Sequence, residues 1–153
     1  MHFLDLLSAE RVCTGLAVND KAGLIDHLAE LLAEGGPVAI IREAIATRER
    51  LGSTGLGHGI AIPHGRCPQI AEARAAFIRL AKPIDFGASD GQAVDLVAAL
   101  IVPAHFTDQH LRLLAELAEL FSAPSTTAAL RAAPDAPALH RLLHRGMKKT
   151  GTD

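Results

Sequence analysis

Residues 94–102 read VDLVAALIV. Only Asp95 interrupts an otherwise apolar run, so no alternation reserves one face for water. That pattern marks a central strand covered on both faces. Two further strand candidates lie upstream, AAFIRLA over 75–81 and GIAIP over 59–63. VCTGLAV over 12–18 alternates weakly and supplies another.

Helical patterns bracket these strands. A short N-terminal turn precedes residue 12. Asn19 is placed to cap a helix, since its side chain can accept from the orphan amides of a first turn. Leu24, Leu28, Leu31 and Leu32 then recur at helical spacing until Gly35 and Gly36 end the pattern. Pro37 suits the first turn of a second helix, whose apolar stripe is Val38, Ile41 and Ile45 and which runs to about Leu51. Beyond the strands, Thr107 caps a helix with the stripe Leu113, Leu114, Leu117, Leu120 and Phe121, and shorter helices follow at 124–132 and 136–145. Helices before and after a run of strands imply the α/β class. The expected architecture is a single layered domain over 1–146, a central mixed β-sheet flanked by helices, with a flexible tail at 147–153, MKKTGTD.

At 153 residues, 49% of them apolar, the chain can bury a sizeable core. It has five Phe and neither Trp nor Tyr, which removes the stacking platforms that single-stranded nucleic acid needs. A formal charge of −2 without a basic run argues against a nucleic-acid partner of any kind. No stretch approaches the roughly 20 apolar residues of a membrane span, and the N-terminus lacks a basic lead, so neither a membrane-embedded nor a secreted protein is expected. Cys13 and Cys67 fit neither metal spacing nor a disulfide framework and read as reduced thiols of a cytoplasmic protein.

The chemistry concentrates at 52–66, GSTGLGHGIAIPHGR. It is no nucleotide fingerprint: Ile60 stands where the third glycine of G-x-G-x-x-G belongs, and the glycines precede a strand instead of linking strand to helix. No Gly-Lys-Ser/Thr element follows. The glycines admit two readings, a turn that needs positive φ or a phosphate loop of Ser53, Thr54, Gly55 and Gly57 with amides open to an anion. His64 is the candidate nucleophile, with Pro63 fixing φ before it and Gly65 leaving room after it. If a backbone carbonyl holds Nδ1–H, Nε2 is free to attack phosphorus. Arg48 continues the stripe Val38, Ile41, Ile45 and so emerges from the buried edge beside the loop, whereas Arg42 and Arg50 fall on the solvated face. His110 lies in the first turn after Thr107, where a helix N-terminus favours an anion and disfavours an imidazolium.

The run TRERLGSTGLGHGIAIPHGR at 47–66, with KPIDFGASDGQAVDLVAALIVPA at 82–104 and DQHLRLLAELAELF at 108–121, resembles type-2 EIIA proteins of the bacterial phosphoenolpyruvate-dependent phosphotransferase system. Within them it is most similar to the nitrogen-related branch, EIIA-Ntr. The resemblance implies that His64 takes a phosphoryl group on Nε2 from an HPr- or NPr-like carrier, with phosphoenolpyruvate as the ultimate donor and no cofactor or metal. It matches Arg48 to the family arginine before the loop and His110 to the histidine beside the phosphorylated ring. A regulator is implied, acting on a sensor kinase or transporter; the alternative is a relay to an EIIB in sugar uptake. One departure is visible: nitrogen-branch members often carry a second histidine two places beyond His110, where this chain has Arg112.

Other chemistries fit less well. His58 and His64, extended, stand roughly 20 Å apart, too far to share a metal ion. His105 and His110 fall on opposite sides of the Thr107 cap. His140 and His144 make an i, i+4 pair without a third ligand and interleave with Arg141 and Arg145 as a polar face. Ser53 lacks the G-x-S-x-G elbow of a hydrolase. The intact Ala61–Gly65 run, AIPHG, argues against a binding module that has lost its chemistry.

Overall fold

The computed structural model describes the backbone of residues 1–149 and side chains through 146. A 3₁₀ turn at Phe3–Leu6 leads into β1 (Leu7–Leu16), α1 (Lys21–Ala33) and α2 (Val38–Arg50). Three short strands follow, β2 (Gly55–Gly57), β3 (Ile60–Ala61) and β4 (His64–Arg66), then the long strands β5 (Arg74–Ile84) and β6 (Val94–Val102). Helices α3 (Asp108–Leu120), α4 (Pro124–Ala132) and α5 (Ala136–Lys149) complete the described chain. None of the described helices is long and apolar enough to cross a membrane.

The six strands form one mixed sheet in the order β1-β5-β6-β3-β2, with β4 also paired to β6. Pairings of β1 with β5 and of β6 with β3 and β4 are parallel, whereas β5–β6 and β2–β3 are antiparallel. As its sequence requires, β6 is central and buried at every position but Asp95. Leu96, Ala98, Leu100 and Val102 pack with Leu113, Leu117, Leu139 and Leu143 of α3 and α5. Val97, Ala99 and Ile101 pack on the other face with Leu24, Leu28, Ile41 and Ile45 of α1 and α2. Two apolar layers therefore share one strand. Each fully buried Leu, Ile or Val contributes roughly 1.5–3 kcal/mol before entropy is counted, which is what fixes α2 and α3 on opposite faces.

Arginines of β5 tie helices to the sheet. Arg74 Nη1 donates to the carbonyls of Leu32 and Ala33 at the end of α1, at 2.8 and 3.2 Å. Arg79 Nη1 does the same at the end of α4, to Leu130 and Ala133, at 2.8 and 2.6 Å. Each satisfies orphan carbonyls and places a cation at the negative end of the helix dipole.

Several boundaries differ from the sequence expectation. β1 begins at Leu7 and ends at Leu16, earlier than 12–18 on both sides. The cap of α1 is Asp20, not Asn19: its Oδ1 accepts from Gly23 N at 2.8 Å. Thr107 holds the cap position of α3, but its hydroxyl makes no capping bond. α5 runs to Lys149, so residues 147–149 of the expected tail have helical backbone, and 150–153 lie outside the described residues.

The expected strand 59–63 is the largest change. Ile60 and Ala61 pair with Leu96 and Val97, and His64, Gly65 and Arg66 pair with Leu100, Ile101 and Val102. One register offset covers both sets, so β3 and β4 are a single line along β6 interrupted at Ile62 and Pro63. Proline has no N–H to give a ladder, but its carbonyl still accepts from Leu100 N at 3.0 Å. His64 thus stands inside a strand position, not past the end of one.

Strand alternation then sorts the neighbours: His64 and Arg66 share a face, and Gly65 takes the other. A Cβ on Gly65 would come within 2.9 Å of Ala44 C and 3.0 Å of Ile45 N. The glycine therefore seats the α2 backbone directly on β4; the room expected after His64 is filled by that helix. Gly65→Ala should push α2 off the strand, costing about 1–3 kcal/mol, or about 2–4 °C in melting temperature per kcal/mol. A thermal melt matching the parent protein would contradict this close seating.

Candidate functional site

Between α2 and α3, across the open edge of β4, lies a groove of about 910 Å³. His64 and Arg66 line it from β4, Arg48 from α2 and His110 from α3. Its rim carries Ile40, Leu51 and Leu111, large apolar side chains that are 40%, 81% and 68% exposed. Those three residues leave apolar surface open around these polar side chains, as a protein-docking face does.

His64 is 7% exposed, and its Nδ1 lies 2.8 Å from the Ile62 carbonyl. A carbonyl only accepts, so Nδ1 carries the proton and Nε2 the lone pair. Burial pushes the ring's pKa below the usual histidine value; the bond to Ile62 opposes this, the Arg48 cation pushes further down and Glu49 opposes. The result is a neutral imidazole at neutral pH, with its in-plane lone pair on the nitrogen that does not meet Ile62. Among the described residues no group bonds that nitrogen.

His110 packs against His64 edge-on, with ring centroids 5.2 Å apart and planes at 81°. It is 8% exposed, and burial, then His64 and Arg66, push its pKa down to about 4. Both rings are therefore neutral together. Arg66 Nη2 lies 3.5 Å from His110 Nδ1, and His110 Nε2 is buried without a partner among the described residues. Arg48 is half-buried and anchors one nitrogen, Nη1, on the Gly52 carbonyl at 2.9 Å. Arg42 and Arg50 instead pair with Asp26 and Glu43 at 2.9 and 2.7 Å.

The structure does not bring the four loop residues into the groove. Ser53 Oγ donates to the Phe86 carbonyl at 2.8 Å and accepts from Gly55 N at 3.1 Å. Thr54 is buried; its amide and hydroxyl both donate to the Glu49 carboxylate, the amide at 3.3 Å. Gly55 abuts Ala88, and Gly57 has φ +93 in the β2–β3 hairpin. The amides of Thr54 and Gly55, expected to be open to an anion, are thus spent inside the chain. What the loop does supply is the Gly52 carbonyl that holds Arg48.

Glu49 organises that loop and was not singled out from sequence. Its carboxylate, 3% exposed, also takes Lys21 Nζ at 2.6 Å, and that ammonium sits 4.4 Å from the Phe86 ring centroid. Nothing in the sequence pairs residues 21, 49 and 86; only the packing of α1 beside α2 does. Arg66 was missed too: it stands two places after His64 on the same face of β4, a strand that the reading of 59–63 did not include. Arg112 is exposed on α3 and does not line the groove. His58 sits in the β2–β3 turn, where Asp90 Oδ2 accepts from its amide at 2.8 Å. His140 and His144 lie together on α5 with ring centroids 5.0 Å apart. No group of three metal-ligating side chains occurs among the described residues.

This arrangement offers a neutral ring nitrogen with a lone pair, two guanidinium groups and a second neutral imidazole, all around one groove. Such a set suits an incoming phosphoryl group, whose transfer asks mainly for alignment and charge neutralisation. Comparison with known proteins agrees. Residues 5–146 match the family model described as phosphoenolpyruvate-dependent sugar phosphotransferase system, EIIA 2. A nitrogen regulatory protein of Bradyrhizobium diazoefficiens is 39% identical over 145 residues, covering 94% of this chain and 95% of that one. A nitrogen regulatory protein of Escherichia coli K12 is 39% identical over 138 residues, covering 87% and 85%. The crystal structure of IIA-Ntr from Neisseria meningitidis superposes with a TM-score of 0.88 at 36% identity, covering 92% and 97%. The chain belongs to the EIIA 2 family of the phosphoenolpyruvate-dependent phosphotransferase system, and within it is similar to the nitrogen regulatory proteins.

Proposed function

We propose that the protein is a histidine phosphocarrier that accepts a phosphoryl group on His64 Nε2 from an HPr- or NPr-like carrier protein. Its phosphorylation state then sets its affinity for a regulatory target, such as a sensor kinase or transporter. The supporting observation is the hydrogen bond from His64 Nδ1 to Ile62, which leaves Nε2 as the nucleophile in an arginine-lined groove. In the step, the Nε2 lone pair attacks phosphorus in line with the carrier's P–N bond. That bond breaks as the new one forms, and its electron pair returns to the carrier's ring nitrogen. Arg48 offsets the negative charge of the transferring group, and His110 contacts it from α3. The apolar rim of Ile40, Leu51 and Leu111 receives the carrier's face. Cytoplasmic action fits the two free thiols, Cys13 and Cys67.

Regulation is favoured by the nitrogen regulatory relatives, which this chain matches over nearly its full length. A second reading, relay to an EIIB, draws on two other proteins. Enzyme IIAMtl of E. coli, of the same fold at 22% identity, has been solved in complex with phosphorylated enzyme IIBMtl. A fructose-specific EIIABC component of Bacillus subtilis is 30% identical over 123 residues, although this chain spans only 19% of it.

The test is incubation with a pre-phosphorylated carrier in the presence of a chelator. Acid-labile, alkali-stable phosphate should appear on the protein, because the step uses no metal and makes a phosphoramidate. Absence of label at saturating carrier would reject the phosphocarrier reading. Rapid loss of that label to an isolated EIIB domain would favour the relay over the regulator.

A further inference from the structure

We propose that Arg66 is a positioning residue that fixes His110 as its Nε2–H tautomer, so that His110 presents a neutral donor to the phosphoryl group on His64. This rests on the reading of His64 as the acceptor and adds to it the protonation state of its neighbour and the residue that sets it.

The chemistry of the guanidinium carries the inference. Arg66 has five N–H donors and no acceptor. Its Nη2 stands 3.5 Å from His110 Nδ1, close enough that a second N–H pointing back would face it repulsively. Nδ1 therefore presents its lone pair. A neutral ring then carries its one proton on Nε2, and the low affinity of this buried ring for a second proton keeps it neutral. Nε2 is the atom that is buried without a partner among the described residues. A buried donor left unpaired is costly, and a phosphoryl oxygen arriving beside His64 would supply its acceptor. The two rings lie 5.2 Å apart, so a phosphoryl group bonded to His64 sits beside His110.

Fold and sequence produce the contact together. Arg66 follows His64 by two residues in β4, which puts both on the face turned to α3. His110 is the third residue of α3, opposite them. The two histidines consequently hold opposite tautomers, each set by its own neighbour: Nδ1–H on His64, through the Ile62 carbonyl, and Nε2–H on His110, through the Arg66 cation. One ring keeps a lone pair for phosphorus while the other keeps a proton for a phosphoryl oxygen.

Long-range proton–nitrogen NMR spectra of ¹⁵N-histidine-labelled protein at neutral pH read each tautomer directly. In the parent protein His110 should show a pyridine-type Nδ1 and a pyrrole-type Nε2, with His64 reversed. In Arg66→Met the His110 signals should shift towards a mixture, and phosphoryl acceptance should slow by about five- to tenfold, the scale of one hydrogen bond. Arg66→Lys, which keeps a donor-only cation, should restore both. A pyrrole-type Nδ1 on His110 in the parent protein would overturn the proposal without any variant. Slower transfer in Arg66→Met with the tautomer unmoved would overturn it as well, assigning Arg66 to direct contact with phosphate. Failure of the unaltered protein to take label on His64 would instead sink the phosphocarrier reading, whatever tautomer His110 shows.

Discussion

A His64→Asn protein offered a phosphorylated carrier is expected to take up no acid-labile phosphate, a loss on the order of 10⁴-fold or more. Asparagine is the sharper substitution because its side-chain nitrogen falls near the position of Nδ1. It can therefore keep donating to the Ile62 carbonyl, a bond of 2.8 Å in the parent protein, while removing the nucleophilic nitrogen. The buried donor pair survives and the melting temperature should stay within a few degrees of the parent. His64→Ala should lose acceptance equally but melt lower, since it also leaves the Ile62 carbonyl unpaired and a void under the groove. Label taken up by either variant at the parent rate would place the nucleophile elsewhere.

Arg48→Ala and His110→Ala are each expected to slow phosphoryl acceptance by about 10²–10³-fold, the usual loss for one preorganised electrostatic contact. Arg48 has the geometry for this role because, among the described residues, only one of its nitrogens is bound, to the Gly52 carbonyl. The same side chain lines the groove. Arg48→Lys should recover only part of the rate, since an ammonium cannot hold that carbonyl and reach a phosphoryl oxygen in one fixed plane. Neither alanine variant should unfold the protein: Arg48 is half-buried at a helix end, and His110 Nε2 has no hydrogen-bond partner among the described residues. Single-turnover rates at saturating carrier separate this from weakened docking. Unchanged rates in both would show that the charge around His64 comes from another source.

Much of the fold was legible because burial writes its own pattern. The strand 94–102 and the helix 124–132 have the bounds their sequence implies, since unbroken apolarity in one and an N-terminal proline in the other leave little choice. The split of 59–66 was not legible. Proline 63 interrupts the ladder locally, but only the constant register against β6 shows that β3 and β4 are one line. Asn19 and Asp20 are equivalent caps by composition, and the place where the chain leaves β1 decides between them.

For the site, short spacings and helix faces singled out His64, Arg48 and His110 one by one, and only the fold shows that all three line one groove. The loop reading failed to foresee contacts made across the chain. Glu49 absorbs the Thr54 donors, and Phe86 takes Ser53. Neither partner can be identified until α1, α2 and the segment after β5 are packed. Arg66 required one more step, knowing that α3 crosses above β4. An exposed arginine in a strand is unremarkable until a histidine is found 3.5 Å away.

The most direct measurement locates the phosphorus on the ring. Carrier-phosphorylated, ¹⁵N-histidine-labelled protein should show phosphorus–nitrogen coupling at Nε2 of His64, with Nδ1 still protonated and bound to Ile62. Phosphorus on Nδ1 of His64, or on His110, would contradict the central claim that the Ile62 carbonyl selects the reacting nitrogen.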